Sequence, residues 1–268
     1  MPKLSELLVT FDEAWPAAHA EEWDRVGLSV GSKDLDISSI LVSVDLTHEV
    51  IDEAIGLGAE LILTHHPLLL KAVDSVAEDK LKGSLIARLI RHSIATYSAH
   101  TNADVQVDGA SGEMARAFGL NSLRALIPAA GGFGHGIIGT LPTPMPLSDF
   151  AALVANALPK TARKVAYSGS PDERVSKIAV CSGAGDSFLP IVLDSDADVY
   201  VTSDLRHHPA LDAISTPRAS GTLALIDVSH WAAESLWVAN AVNRLSEVPN
   251  LRVVASNLNT DPWTQEVS

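Results

Sequence analysis

The sequence predicts an α/β protein made of two similar α/β halves, with mostly parallel sheets flanked by helices. Short runs rich in β-branched residues alternate with helical patterns along nearly the whole chain, as in "SILVSVDL" followed by "THEVIDEAIGLG". This alternation is typical of parallel strands connected by helices. In addition, the tripeptide His-His-Pro occurs twice, at residues 65–67 and 207–209, each time after an apolar run.

The order of the elements indicates an internal duplication. The first half has a strand, His-His-Pro, a helix and a strand, and then His100 with Asp104 four residues further on. The second half has the same order and ends with His230 and Glu234 at the same spacing. Two related halves therefore explain both copies of the tripeptide.

A glycine-rich stretch at residues 126–136 is the candidate boundary between the halves. We therefore place the first α/β half at residues 1–125 and the second at residues 126–268. The C-terminal segment of the second half is able to pack back on the first.

Composition excludes several classes of function. The chain has 268 residues with a formal net charge of −14, and it has no lysine and arginine cluster that would offset this charge, so we expect no nucleic-acid partner. Its apolar runs are too short to cross a bilayer, so we expect no membrane association. The single cysteine, Cys181, cannot form an internal disulfide, and we expect a cytoplasmic location.

The histidine motifs follow predicted strands, where open α/β sheets bind ligands. Histidine nitrogen and carboxylate oxygen together suit zinc, iron, manganese, nickel or cobalt. His65 and His66 point in different directions in an extended loop, so they are suited to two ions rather than one. His230 and Glu234 share a helix face, and a carboxylate there can bridge two ions.

Each of these features has a structural alternative. A single histidine is more often a hydrogen-bonded structural residue, and a His/Glu pair one turn apart is commonly a helix-surface contact. The convergence of four such motifs at strand ends favours a metal site. The pattern alone does not decide which residues bind.

Three weaker features remain open. "CSGAGDSF" fits a phosphate-binding loop, but we favour a tight strand-to-helix turn capped by Asp186 or Ser187. Asp45 either approaches the site or caps the next helix, for which Thr47 is the predicted N-cap. Cys181 is expected to be a buried strand residue.

Six motifs resemble the dinuclear-metal family named GTP cyclohydrolase 1 type 2, also called Nif-three-like. They occur in family order from residue 23 to about residue 235. They read "WDRVGLSVG", "LILTHHPLLL", "YSAHTNADV", "VCSGAGDSFL", "VTSDLRHHPALDA" and "LIDVSHWAAES".

The resemblance implies a specific ligand set for two divalent ions in the cleft between the halves. His65 and His66 would each bind one ion, and Asp104 would join His66. His230 would join His65, and Glu234 would bridge both ions. The resemblance also implies a ring-shaped homohexamer with the metal sites facing an interior cavity.

The other histidines would then face the substrate. His100, His207 and His208 are the candidates for moving protons, since an unligated histidine titrates in the right range. One departure from the family pattern affects this region, because Ser203-Asp204 stands where the family usually has Gly-Glu.

The function expected from these features is metal-dependent hydrolysis of a small polar substrate, with a nucleotide as the candidate. The family name points to ring opening of GTP. The alternative is a non-catalytic metal-binding protein that acts as a metal chaperone or as a scaffold for protein interactions.

Overall fold

The computed structural model describes residues 1–129, 134–219 and 221–267, and the chain divides into two compact units. The first unit consists of Met1–Ala103 and Val238–Thr260. The second consists of Asp104–Trp237 and the C-terminal residues from Asp261 onwards.

The first unit contains a five-stranded sheet. Its strands are β1 (Gly27–Val30), β2 (Ser39–Ser43), β3 (Leu61–Thr64), β4 (Ala95–Ser98) and β11 (Arg252–Ala255). They lie in the order β1-β4-β3-β2-β11, and all neighbours are parallel except β1 and β4. Strands β2, β3 and β4 are completely buried, which explains why they read as unbroken apolar runs.

Helices of the first unit are α1 (Leu4–Ala14), α2 (His48–Leu57) and α3 (Leu81–Arg91). Helix α2 begins where the sequence predicts, because the Thr47 side chain accepts a hydrogen bond from the Val50 amide. It ends at Gly58, whose φ of 66° is left-handed. Among the described residues, no helix has both the length and the apolar content needed to cross a bilayer.

The second unit contains a six-stranded sheet in the order β5-β6-β8-β9-β10-β7. Its strands are β5 (Asn121–Pro128), β6 (Gly134–Pro146), β7 (Ala166–Tyr167), β8 (Arg174–Ala184), β9 (Val199–Ser203) and β10 (Ala224–Asp227). Its helices are α5 (Ala110–Ala117), α6 (Leu147–Ala157), α7 (Leu189–Asp194) and α8 (His207–Ser215). Two further helices, α4 (Thr101–Asp104) and α9 (His230–Leu245), contribute residues to both units.

Both sheets contain the same four-strand arrangement. In the first, β2, β3 and β4 are parallel neighbours and β1 runs antiparallel at the edge beside β4. In the second, β8, β9 and β10 are parallel neighbours and β7 runs antiparallel beside β10. The predicted α/β architecture of two similar halves is therefore confirmed, although the second sheet gains the antiparallel strands β5 and β6.

The unit boundary lies at residue 103 rather than at residue 125. Helix α5 belongs to the second unit because Met114 and Ala115 are buried in its hydrophobic core. The stretch at 126–136 does not separate the units, since its flanks lie in β5 and β6, which pair as antiparallel neighbours. Residues 130–133 of that stretch lie outside the described residues.

Candidate metal centre

Three histidines of the first unit lie together at one edge of its sheet. His65 and His66 follow β3 directly, and His100 follows the neighbouring parallel strand β4. The carboxyl ends of parallel neighbours meet at the same edge, so the three rings converge. One ring nitrogen of each lies within 4.8 Å of one ring nitrogen of each other histidine.

Each of these imidazoles is held through its Nδ1 atom by an oxygen. Nδ1 of His65 donates to the Ala99 carbonyl oxygen at 2.9 Å, which fixes the tautomer because a carbonyl can only accept. Nδ1 of His66 lies 2.7 Å from Oδ1 of Asp45, and Nδ1 of His100 lies 2.9 Å from Oδ1 of Asp24. Such partners are typical of metal-ligating histidines, in which a hydrogen bond at one ring nitrogen fixes the tautomer and the orientation of the ring.

The turn that carries His65 and His66 is fixed by backbone hydrogen bonds. The amide of His65 donates to the Ser43 carbonyl at 3.1 Å, and that of His66 donates to the Val44 carbonyl at 2.9 Å. The buried Thr64 hydroxyl also donates to the His66 carbonyl at 2.8 Å. The two imidazoles are therefore presented by a rigid support.

Asp24 fixes His100 from a different part of the sequence. Its Oδ1 accepts from His100, and its Oδ2 accepts from the amide of Thr101 at 3.0 Å and from the Thr101 hydroxyl. Burial opposes ionisation of this carboxyl, but the hydrogen bonds from His100 and Thr101 hold its pKa well below the ordinary value. Asp24 is therefore an ionised acceptor for His100 at neutral pH.

The second unit positions one histidine between two carboxylates. His230 begins helix α9, and its Nδ1 lies 2.7 Å from Oδ2 of Asp204, in the loop after β9. Its Nε2 lies 3.0 Å from Oε1 of Glu234, one helical turn further along. The predicted pairing of His230 and Glu234 is therefore present, and the Glu234 side chain is almost completely buried.

The electrostatics of this pair fit a bound cation. The charge of Glu234 is the main reason that the pKa of His230 is raised to about 11; burial opposes the shift and Asp204 reinforces it. Without an ion, a proton on Nε2 neutralises the carboxylate beside it. A divalent ion that binds Nε2 and Glu234 would take the place of that proton, and the donor set of nitrogen and carboxylate oxygen suits such an ion.

Gly183 lies against the same two side chains. It occupies an irregular part of β8, with a φ of 68°. A Cβ atom at this position would lie 2.5 Å from Oε1 of Glu234 and 3.4 Å from Nε2 of His230. The backbone therefore approaches the candidate ligand atoms more closely than any other residue type permits.

The charge of Asp104 affects the same buried residue as the charge of Glu234, the thiol of Cys181. Cys181, in β8, is buried, and burial is the main reason that the pKa of its thiol is raised to about 12. The negative charges of Asp104 and Glu234 both add to that shift, so both carboxylates act on the Cys181 site. The predicted acidic ligands of the second unit thus share one electrostatic environment.

The second His-His-Pro differs from the first in its structural position. His65 follows β3 directly, whereas His207 and His208 are exposed and begin helix α8 after a three-residue loop. Within the described chain, neither belongs to a group of ligand atoms close enough to hold an ion. The repeated tripeptide is consequently not a repeated ligand pair.

The structure also shows the positions of Asp45 and of the "CSGAGDSF" stretch. Asp45 contacts His66, and its Oδ2 accepts from the Thr260 hydroxyl at 2.5 Å, while Thr47 caps α2. The "CSGAGDSF" stretch continues β8 as far as Ala184, with Gly183 packed against Glu234. Asp186 does not cap a helix through its side chain but forms an ion pair with Arg206.

Sequence reasoning missed two supporting residues. Asp24 lies 76 residues before His100, and no periodicity connects them. Arg163 forms an ion pair with Asp227, and its Nη1 lies 3.9 Å from Oδ1 of Asp204. The only available signal for Asp24 was the polar residue inside "WDRVGL", which does not reveal its partner.

Known proteins resemble this chain over almost its whole length. A Streptomyces coelicolor protein named GTP cyclohydrolase 1 type 2 homolog is 41% identical, covering 100% of this chain and 96% of the relative. A Mycobacterium tuberculosis protein of the same name is 32% identical, covering 97% and 96%. The crystal structure of a Bacillus cereus protein related to NIF3 matches with a TM-score of 0.88 at 25% identity, over 98% of both chains. The profile of the Duf34/NIF3 (NGG1p interacting factor 3) family matches residues 2–262, and the chain belongs to this family.

Proposed function

We propose that this protein is a divalent-metal-dependent hydrolase of a small polar substrate, with nucleotides as the candidate class. The observation that carries the proposal is the shared support of the candidate histidines. An oxygen acceptor holds Nδ1 of His65, His66 and His230, so the orientation of each ring is fixed in the way that is usual for metal-ligating histidines. The relatives named GTP cyclohydrolase 1 type 2 homolog support the nucleotide class.

The proposed ligands are those that the family resemblance implies. His65 and His66 in the first unit, with Asp104, His230 and Glu234 in the second, would hold two divalent ions. Zinc, iron, manganese, nickel and cobalt all suit this mixture of imidazole and carboxylate. A pair of such ions acts as a Lewis acid and makes a water molecule nucleophilic near neutral pH.

The chain's own residues orient these ligands and move protons. Asp45 and Asp204 hold the rings of His66 and His230 in one orientation. Of the three candidate proton carriers, we favour His100, because it lies in the histidine cluster and its Nδ1 lies 2.9 Å from Oδ1 of Asp24. His207 and His208 are exposed and lack such a carboxylate partner in the described structure.

A non-catalytic role is the second candidate, because the family name describes an interacting factor. A metal chaperone or interaction scaffold would bind ions and consume no substrate. The ring-shaped homohexamer implied by the resemblance is compatible with both roles, and light scattering on the purified protein would measure it.

The test is a nucleotide panel incubated with metal-loaded protein and analysed by chromatography. Glu234→Gln keeps the volume of the buried side chain but removes its charge, while Glu247→Gln changes an exposed carboxylate after the same helix. Loss of consumption in the first variant only would support hydrolysis. If two ions are bound per chain and no nucleotide is consumed, the hydrolase is overturned and the non-catalytic role is favoured.

A further inference from the structure

An exposed tryptophan lies beside the histidine cluster of the first unit. Trp23 is 55% exposed, whereas Trp15 and Trp237 are almost fully buried. Its indole centroid lies 5.9 Å from the His100 centroid, with the two rings nearly perpendicular at 81°. His100 in turn lies 5.3 Å from the ring of His65, so the indole borders the candidate metal ligands.

The loop that carries Trp23 is held firmly on both sides of the indole. On one side, the amide of Glu21 donates to the Thr101 hydroxyl at 3.0 Å. On the other, Asp24 is buried and accepts hydrogen bonds from Thr101 and His100. An aromatic side chain on such a support loses little conformational freedom when a ligand binds.

The surroundings of Trp23 favour a flat ring as its ligand. A tryptophan face stacks on any nucleobase, because every base has a π-face. The other common partner, a quaternary ammonium group, is usually enclosed by several aromatic side chains. In the described part of the chain, Trp23 has only the His100 ring as an aromatic neighbour. The Arg25 guanidinium, which donates to the Asp24 carbonyl at 2.6 Å, also adds a positive group to this loop.

We propose that Trp23 is a specificity-determining residue that stacks on a planar heteroaromatic ring of the substrate, such as a purine base. The ring would lie on the indole while the reacting part of the substrate reaches the histidine cluster. This inference rests on the proposed hydrolase, and it assigns Trp23 to the recognition of the ring of the proposed nucleotide substrate.

Equilibrium binding tests this inference without relying on turnover. Calorimetry would compare guanosine monophosphate with ribose 5-phosphate on metal-loaded wild type, Trp23→Ala, Trp23→Phe and the control Trp263→Ala, which changes another exposed tryptophan. We expect Trp23→Ala to weaken guanosine monophosphate binding about tenfold or more and to leave ribose 5-phosphate unchanged. Trp23→Phe and Trp263→Ala should bind like wild type.

Nucleotide consumption, measured on the same samples, separates this inference from the proposed function. If guanosine monophosphate binding depends on Trp23 but no nucleotide is consumed, the stacking role of Trp23 is supported and the proposed hydrolase activity is overturned. The stacking site is overturned if Trp23→Ala weakens both ligands equally or neither of them. It is also overturned if wild type binds guanosine monophosphate no better than ribose 5-phosphate.

Discussion

Oδ2 of Asp204 lies 2.7 Å from Nδ1 of His230, and the carboxylate reaches this position from a left-handed backbone conformation with a φ of 57°. Aspartate tolerates this conformation better than most residues. The hydrogen bond from His230 is the main reason that the pKa of Asp204 is lowered, so the acceptor is ionised at neutral pH. Asp204 therefore positions a proposed metal ligand, although its side chain is shorter than the glutamate expected from the family pattern.

Replacing Asp204 with asparagine should weaken metal binding. Asp204→Asn keeps the shape of the side chain but removes the charge that orients and polarises His230, and we expect a loss of affinity of about 10- to 100-fold. Competition with a chromophoric chelator would measure it. The exposed Asp212→Asn is the matched control, and equal affinities in the two variants would contradict the positioning role.

Metal affinity should rise with pH. Because the charge of Glu234, reinforced by Asp204, raises the pKa of His230 to about 11 against the effect of burial, the metal-free ring is protonated at pH 7.5. An ion must displace that proton, so we expect affinity to increase about tenfold per pH unit between pH 7.5 and 9. Chelator-buffered titrations at several pH values would measure the slope. An affinity that is constant over this range would show that no proton leaves when the ion binds.

Gly183→Ala should remove metal binding, whereas Gly119→Ala should not. Both glycines have left-handed φ values, 68° and 71°, so alanine should cost each about 1 kcal/mol of folding free energy. Only at Gly183 would the new Cβ lie 2.5 Å from Oε1 of Glu234; the space at Gly119 is open. Urea unfolding would measure stability, and metal analysis would measure occupancy. Full occupancy in Gly183→Ala would argue against a site at Glu234.

Cys181 should be unreactive in the folded protein. Burial, with the charges of Asp104 and Glu234, raises the pKa of its thiol to about 12, so the nucleophilic thiolate is scarce at pH 8. We expect no labelling by iodoacetamide within an hour in buffer and complete labelling in urea. Mass spectrometry would measure both. Rapid labelling of the folded chain would mean that Asp104 and Glu234 do not share a buried environment with this thiol.

The sequence predicted the structural positions that depend on local pattern. His65 and His66 directly follow a buried parallel strand, as expected from the apolar run before them. His230 and Glu234 were paired because four residues make one helical turn. The two-half architecture followed from the repeated order of strands and helices.

The supporting interactions could not be predicted, because they depend on tertiary structure. Asp24 meets His100 across 76 residues, and Thr260 meets Asp45 across 215. The different positions of the two His-His-Pro copies could not be predicted either, since the second copy begins a helix three residues after its strand. The close approach of the backbone at Gly183 could have been predicted, because a glycine inside a strand pattern often marks such an approach.

Metal analysis of the purified, metal-loaded chain tests most directly the proposal that two ions are bound by His65, His66, Asp104, His230 and Glu234. Wild type, His65→Ala, His230→Ala and the control His208→Ala would be analysed by plasma mass spectrometry after removal of loosely bound ions. We predict two ions per chain in wild type and in His208→Ala, and fewer in both of the other variants. Unchanged stoichiometry in His65→Ala and His230→Ala would contradict the assignment of both histidines as metal ligands.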